Sequence, residues 1–295
     1  MSYRILVRRA DTDLANIFLG VMEDYPFVLL TPSAESLDWS DEKAVGGYFD
    51  EKSPSLVVHF TESFRLATES DVAAASSLSK ACTAKGVPLL QLSSFEVGGE
   101  AYRPEGFCES DTVAPDTSQG DVFVAIEKAA LGCSLSLILR LPWVVDMVDG
   151  SLFDHVVPKL LDGKLEAVSD HHRLSLVSSG FVVRSLIALI HQIICGAENW
   201  GIYHLRSSDQ CSEAEFVDAT VRMLNSEGGL DVVMPSVKIG RDEARMLCGS
   251  ANFNGRKCTD DFGIQLPSWR HGFKSLLRRW LHDHKMVPDL RKVER

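Results

Sequence analysis

The sequence predicts an α/β chain built on a doubly wound parallel sheet, and three observations predict it. Short apolar runs recur at residues 4–7, 27–30, 54–60, 88–93, 134–139 and 201–205, each about the length of a strand buried on both faces. Helical patterns fall between several of them, at 13–23, 71–85, 116–131 and 181–194. Strands alternating with helices imply right-handed βαβ units and a parallel sheet. Hydrophobic residues are 45% of the 295 and charged residues 24%, which suits a packed core and not a disordered chain.

The elements follow in order. Residues 4–7 form the first strand and lead into a helix over 13–23, and 27–30 is the second strand. Pro54 opens the third strand, a position where proline is tolerated. Gly86 closes the helix over 71–85, and 88–93 is the fourth strand. The segment 96–118 holds Gly98, Gly99, Pro104, Gly106 and Pro115 and reads as loop. It follows a strand, and in such sheets ligands bind outside the carboxyl ends of strands. Further helices are predicted at 152–161 and 212–224. The last opens on Ser212 with Glu213 and Glu215 at the positive end of its dipole.

Net charge is −11, which argues against a general nucleic-acid or anionic-membrane binder. The charge is uneven. Residues 270–295 carry net +5, leaving −16 on the rest. This basic end reads as a solvated helix and tail, or as a docking element for an acidic partner centred on Arg278, Arg279 and Trp280. Trp269, Phe273, Leu276, Leu277, Trp280 and Leu281 recur at helical spacing, a stripe that fits packing onto the domain or a groove on a partner. Seven scattered cysteines without a CxxC pair argue against a disulfide framework or a structural zinc site. No metal site is expected: 170–172 and 282–284 read as surface histidines. Cys108 has no evident base to activate it. The opening residues lack a signal-peptide layout and no apolar run spans a bilayer, so a cytoplasmic location is expected.

A set of local patterns carries a resemblance. They are Pro54-Ser55-Leu56-Val57-Val58-His59, Leu92-Ser93-Ser94-Phe95-Glu96-Val97, Glu109-Ser110-Asp111 with Pro115, Arg140-Leu141-Pro142-Trp143-Val144, Gly201-Ile202-Tyr203-His204-Leu205, and Phe262-Gly263-Ile264-Gln265-Leu266-Pro267-Ser268-Trp269. In this order they resemble the extended short-chain dehydrogenase family, in its dTDP-4-dehydrorhamnose reductase-like branch. The resemblance implies a Rossmann-like sheet with a smaller C-terminal α/β substrate-type subdomain. The expected division is a dinucleotide-type domain over 1–145, with the chain crossing back near 170–205, and the substrate-type part over 146–295.

The functional residues of that family are largely replaced. A dinucleotide loop needs glycines for a tight turn and for close approach of backbone to pyrophosphate. The matching positions here are Arg9, Thr12 and Ala15, and Asp11 and Asp13 add negative charge beside a helix N-terminus that would otherwise attract an anion. Arg8 and Arg9 offer a side-chain substitute for phosphate binding, so Arg8, Arg9, Thr12 and Asp13 are the cofactor-site candidates. The Tyr-x-x-x-Lys pair that the resemblance implies falls on Gln119 and Phe123. Glutamine cannot shuttle a proton and phenylalanine carries no donor. Tyr48 and Lys52 have the right spacing but lie before the third strand, and Tyr102 has Gly106 four residues on. Ser94 matches the family's hydroxyl.

These replacements predict a non-catalytic family member that acts by binding, as a regulatory, scaffold or ligand-sensing subunit. The alternative is an NAD(P)-dependent reductase, or another sugar-nucleotide-modifying enzyme, with relocated catalytic residues. The first reading expects no cofactor and the second NAD(P). The expected partners are another protein or a second copy of the chain. The expected ligand is a nucleotide or nucleotide-sugar held by Ser93, Ser94, Phe95, Glu96, Gln119, Pro142 and Trp143.

Overall fold

The computed structural model describes residues 2–99, 103–238 and 251–285. Its centre is a six-stranded sheet in the order β2-β1-β3-β4-β5-β9, formed by β2 (Val28–Leu30), β1 (Arg4–Arg8), β3 (Leu56–His59), β4 (Leu89–Ser94), β5 (Ser136–Leu141) and β9 (Gly201–His204). Every neighbouring pair in it is parallel. The order reverses at β1, so the crevice beyond the ends of β1 and β3 is the topological switch point where ligands bind in such sheets.

Strand residues alternate between two buried faces. Ile5, Val7, Leu56, Val58, Leu90 and Leu92 join one cluster with Phe18 of α1 (Asp13–Met22) and Leu186 of α6 (Ser179–Ile194). Leu6, Val57, Leu89 and Ile138 face Val45 and Phe49 of α2 (Glu42–Lys52) and Leu78 and Cys82 of α3 (Glu69–Lys85). Two-sided burial explains why these strands read as continuous apolar runs.

Past β5 the chain builds smaller sheets. One has the order β10-β8-β6, from β6 (Trp143–Val144), β8 (Arg173–Val177) and β10 (Gln210–Ser212). The other pairs β7 (Ala167–Ser169) with β11 (Ser236–Lys238). Around them lie α4 (Ser118–Ala130), α5 (Leu152–Leu161), α7 (Glu213–Gly228), α8 (Lys257–Phe262) and α9 (Phe273–Asp283). Among the described residues no helix is long and apolar enough to cross a membrane.

Two expectations need correcting. The fifth strand is Ser136–Leu141, two residues later than the apolar run suggested, because Arg140 is carried inside it. Trp280 does not present itself to a partner. It is 2% exposed, with Phe273, Leu277 and Leu281 buried beside it, and its indole Nε1 donates to Asp154 Oδ1 on α5 at 2.6 Å. The apolar stripe of α9 therefore belongs to the domain's own core. Arg278 and Arg279 are exposed on the opposite side. Residues 286–295, with three of the basic residues of the tail, lie outside the described residues.

Candidate functional site: a divided crevice at the switch point

The loop leaving β1 keeps the backbone of a glycine turn without the glycine. Arg9 has φ +59°, the left-handed region that glycine enters without penalty and other residues enter at a cost of about 1 kcal/mol or more. Its side chain fills the space that a glycine would leave open. Arg9 pairs with Glu62 beyond β3, and its Nε reaches Asp71 Oδ1 at 3.1 Å. Arg8 is 3% exposed and ion-paired to the same Asp71. Asp71 also accepts from the Thr68 N–H at 2.7 Å in the capping box of α3. Burial would raise its pKa, but the Arg8 charge and hydrogen bonds outweigh burial and hold the carboxyl below its ordinary range. Arg8, proposed from sequence as a phosphate ligand, is thus consumed by an internal carboxylate, a correction that follows from its burial.

The loop separates two cavities. Arg8, Arg9 and Asp11 line an outer one of about 460 Å³, with Thr31, Ser33 and Trp39 among the facing residues. Thr12 and Asp13 line an inner one of about 20 Å³, with Thr61, Glu62 and Ser93. The outer volume is within the range of about 300–1,000 Å³ typical of ligand sites. The inner one has room for about one water. Across its mouth the Asp149 N–H donates to Asp13 Oδ2 at 2.8 Å, so the acid at the start of α1 is also engaged internally. The residues present at the inner end therefore do not fit the reacting half of a dinucleotide.

The residues at the implied catalytic positions have other employment. Gln119, in the first turn of α4, accepts from the Ala67 N–H at 2.9 Å. Phe123 is fully buried in the main core. Ser94 is fully buried and accepts from the Glu96 N–H at 3.2 Å, capping the 3-10 turn Phe95–Gly98. Gly120 lets α4 sit against that turn: a Cβ there would meet the Glu96 carbonyl at 2.6 Å. Tyr102 lies outside the described residues, and Tyr48 sits on α2, half-buried against the second core cluster.

The residues of the expected ligand cleft over Ser94 pack closely against the chain's own side chains, with Ser93 at the edge of the inner cavity. Ser93, Ser94, Phe95, Glu96, Pro142 and Trp143 are all buried, and Gln119 is half-buried. Arg65 pairs with Glu96 at 2.9 Å and lays its guanidinium 4.3 Å from the Trp143 ring centre. Phe95 and Phe64 pack on Trp143 at 5.6 and 5.9 Å. Cation–π and aromatic contacts of this kind hold Arg65 and the three rings in one packed cluster. The Trp143 Nε1 is left without a partner inside it.

Behind the crevice runs a buried polar chain that sequence reading did not assemble: Ser93 was expected to face a ligand, and Arg140 and His204 stood in quoted motifs without a role. Ser93 Oγ donates to Glu127 Oε1 at 2.6 Å. Arg140 grips the two Glu127 oxygens, each at 2.8 Å, and its third nitrogen reaches His204 Nε2 at 3.2 Å. His204 Nδ1 then donates to the Phe107 carbonyl at 3.0 Å. That carbonyl only accepts and the Arg140 N–H only donates, so the imidazole is neutral with Nε2 as acceptor. The available signal was Arg140 itself, a charge inside an apolar run, which calls for a buried partner. Glu62, Arg65 and Asp71 carried no comparable signal.

Two buried histidines make the fold acid-sensitive. Burial, with the nearby Arg8 charge, lowers His59 to about 3. Burial and Arg140 hold His204 well below its ordinary value of 6.5. Below pH 6.5 the unfolded chain gains protons that the folded chain refuses, so stability is complete above that pH and falls with acidification toward the folded values. At pH 5 His59 should cost about 2 kcal/mol, and His204 adds to the loss in the same direction. Urea unfolding at pH 7.5 and pH 5 should show this loss, and His59→Asn should remove the His59 part of it. A flat profile between those pH values would contradict the assigned neutral state.

A parallel sheet with its crevice at the switch point, followed by smaller sheets, defines a doubly wound, Rossmann-like α/β fold. Within that class, residues 4–281 match the family model described as "RmlD substrate binding domain". The chain belongs to that family. Its fold is similar to a dTDP-4-dehydrorhamnose reductase of Clostridium acetobutylicum (19% identity, 94% of this chain and 99% of that one, TM-score 0.73). It is similar at the same identity and TM-score to the dTDP-4-dehydrorhamnose reductase of Bacillus anthracis in complex with NADP, over 95% and 99% of the two chains. The Bordetella bronchiseptica enzyme WbmG in complex with NAD aligns with 16% identity over 97% and 96%, at TM-score 0.76. No curated protein sequence matches the chain.

Proposed function

We propose that this chain is a non-catalytic member of its family that acts by binding, as a regulatory, scaffold or ligand-sensing subunit. One observation carries the reading: Gln119 and Phe123 stand where the resemblance places the proton-transferring tyrosine and its lysine, and Phe123 is sealed in the core. General acid–base catalysis needs a titratable group within hydrogen-bond reach of the substrate, and neither residue supplies one. The division near residue 145 and the cytoplasmic location belong to the same reading. Arg278 and Arg279 remain the exposed positions through which an acidic protein partner or a second copy would engage.

Family membership and the NAD(P) complexes of similar folds favour the second reading, an NAD(P)-dependent reductase or other sugar-nucleotide-modifying enzyme with relocated catalytic residues. The deciding experiment incubates the purified chain with NADPH or NADH and dTDP-4-dehydrorhamnose and follows loss of nicotinamide absorbance. The expected result is no consumption above the enzyme-free rate. Turnover that scales with protein concentration would establish the second reading instead.

A further inference from the structure

We propose that the Arg9–Glu62 ion pair partitions the switch-point crevice, so that the outer chamber takes a single nucleoside monophosphate and the second nucleotide of a dinucleotide is shut out. The inference deepens the binding reading above by naming its ligand class.

The partition is visible in what lines each space. Arg9 faces the outer chamber and Glu62 the inner cavity, and the two are ion-paired across the gap between the β1 and β3 loops. Arg9 is further held by Asp71, so the wall is anchored on the α3 side. The two cavities share no lining residue. On one side is about 460 Å³ and on the other about 20 Å³. A dinucleotide crossing from one to the other would have to break the pair and then displace the Asp13–Asp149 link behind it.

The chamber's chemistry selects the ligand. Leu19, Pro32, Ala34 and Trp39 give it apolar wall for a flat ring, while Thr31, Ser33 and Ser70 give hydroxyls for a sugar. This mixture of apolar lining and a few polar groups is what small-molecule sites require. Charge sets an upper limit. Arg8 and Arg9 are matched by Asp71 and Glu62, and Asp11 adds a further carboxylate to the lining. The partly exposed Arg9 guanidinium accommodates one phosphate, and a polyphosphate meets uncompensated negative charge.

The test is calorimetric titration of the full chain with AMP, GMP, UMP and dTMP, then ADP, NAD⁺ and NADP⁺. At least one monophosphate is expected to bind, with the dinucleotide containing the same nucleoside binding no more than threefold tighter and the diphosphate weaker. Ala34→Trp, an exposed position on the lining, should abolish binding without lowering the melting temperature. Arg9→Gly combined with Glu62→Ala should tighten dinucleotide binding at least tenfold relative to the native chain and weaken monophosphate binding at least threefold, because the Arg9 contact to the phosphate is lost. A native chain that binds NAD⁺ or NADP⁺ at least tenfold tighter than every monophosphate overturns the partition, even if no turnover is found and the non-catalytic reading stands. Absence of monophosphate binding at millimolar concentration overturns the chamber.

Discussion

Phe123→Lys is expected to cost the fold at least about 4 kcal/mol, because truncating a buried phenylalanine alone costs about 3–5 kcal/mol and an ammonium in its place adds desolvation. Phe123 is fully buried in the main core cluster. The loss approaches the whole stability of an ordinary domain, about 5–15 kcal/mol. Phe123→Leu is the control, expected to stay folded with a modest loss. Equilibrium urea unfolding of the two variants and the native chain measures the difference. The consequence reaches beyond stability. Writing tyrosine and lysine back into positions 119 and 123 is not expected to rebuild a catalytic pair here, because position 123 is packed in the core and Gln119 is already bonded to Ala67. If Phe123→Lys instead lay within 1 kcal/mol of native, α4 would have to expose that face readily, and the enzyme reading would regain its strongest missing element.

The central sheet was legible because burial on both faces writes itself into sequence as uninterrupted apolar runs, and β1, β3 and β4 fell where those runs lie. Helix α5 was equally plain, since Ser151 caps it and its apolar residues repeat at helical spacing. The short strands were not legible. β6 has two residues and β7, β10 and β11 three each, too few to show a period, and their pairing is decided by long-range packing. α2 was missed because Gly46 and Gly47 dilute its pattern and only Val45 and Phe49 are buried. At the candidate site, sequence could say which glycines and which catalytic side chains were replaced. It could not say what the replacements touch. That Arg9 would adopt a glycine's backbone angle and bind Glu62 depends on where the β3 loop arrives, 53 residues later in the chain. The packing of Arg65, Phe95 and Trp143 likewise comes from three separate segments meeting.

Glu127→Ala is expected to destabilise the chain by about 3–5 kcal/mol, the usual cost of stranding one member of a buried ion pair. Arg140 is 1% exposed. Without Glu127 its guanidinium would keep only His204 Nε2 among the side-chain partners described, and Ser93 would lose its acceptor. Water cannot readily compensate at a site closed by β4, β5 and α4. The pair as such is worth much less than that, because taking two ions out of water offsets most of their attraction. The double variant Glu127→Met, Arg140→Met should therefore recover much of the loss. The two singles and the double, measured by urea unfolding at pH 7.5, form a cycle that isolates the coupling. A cost under 1.5 kcal/mol for Glu127→Ala would mean that Arg140 finds solvent or another acceptor and that the polar chain is not closed. The expected large coupling would make Ser93, the one member that lines the inner cavity, part of a rigid support. Such a support holds the closed end of the crevice closed and leaves the outer chamber as the space open to a ligand.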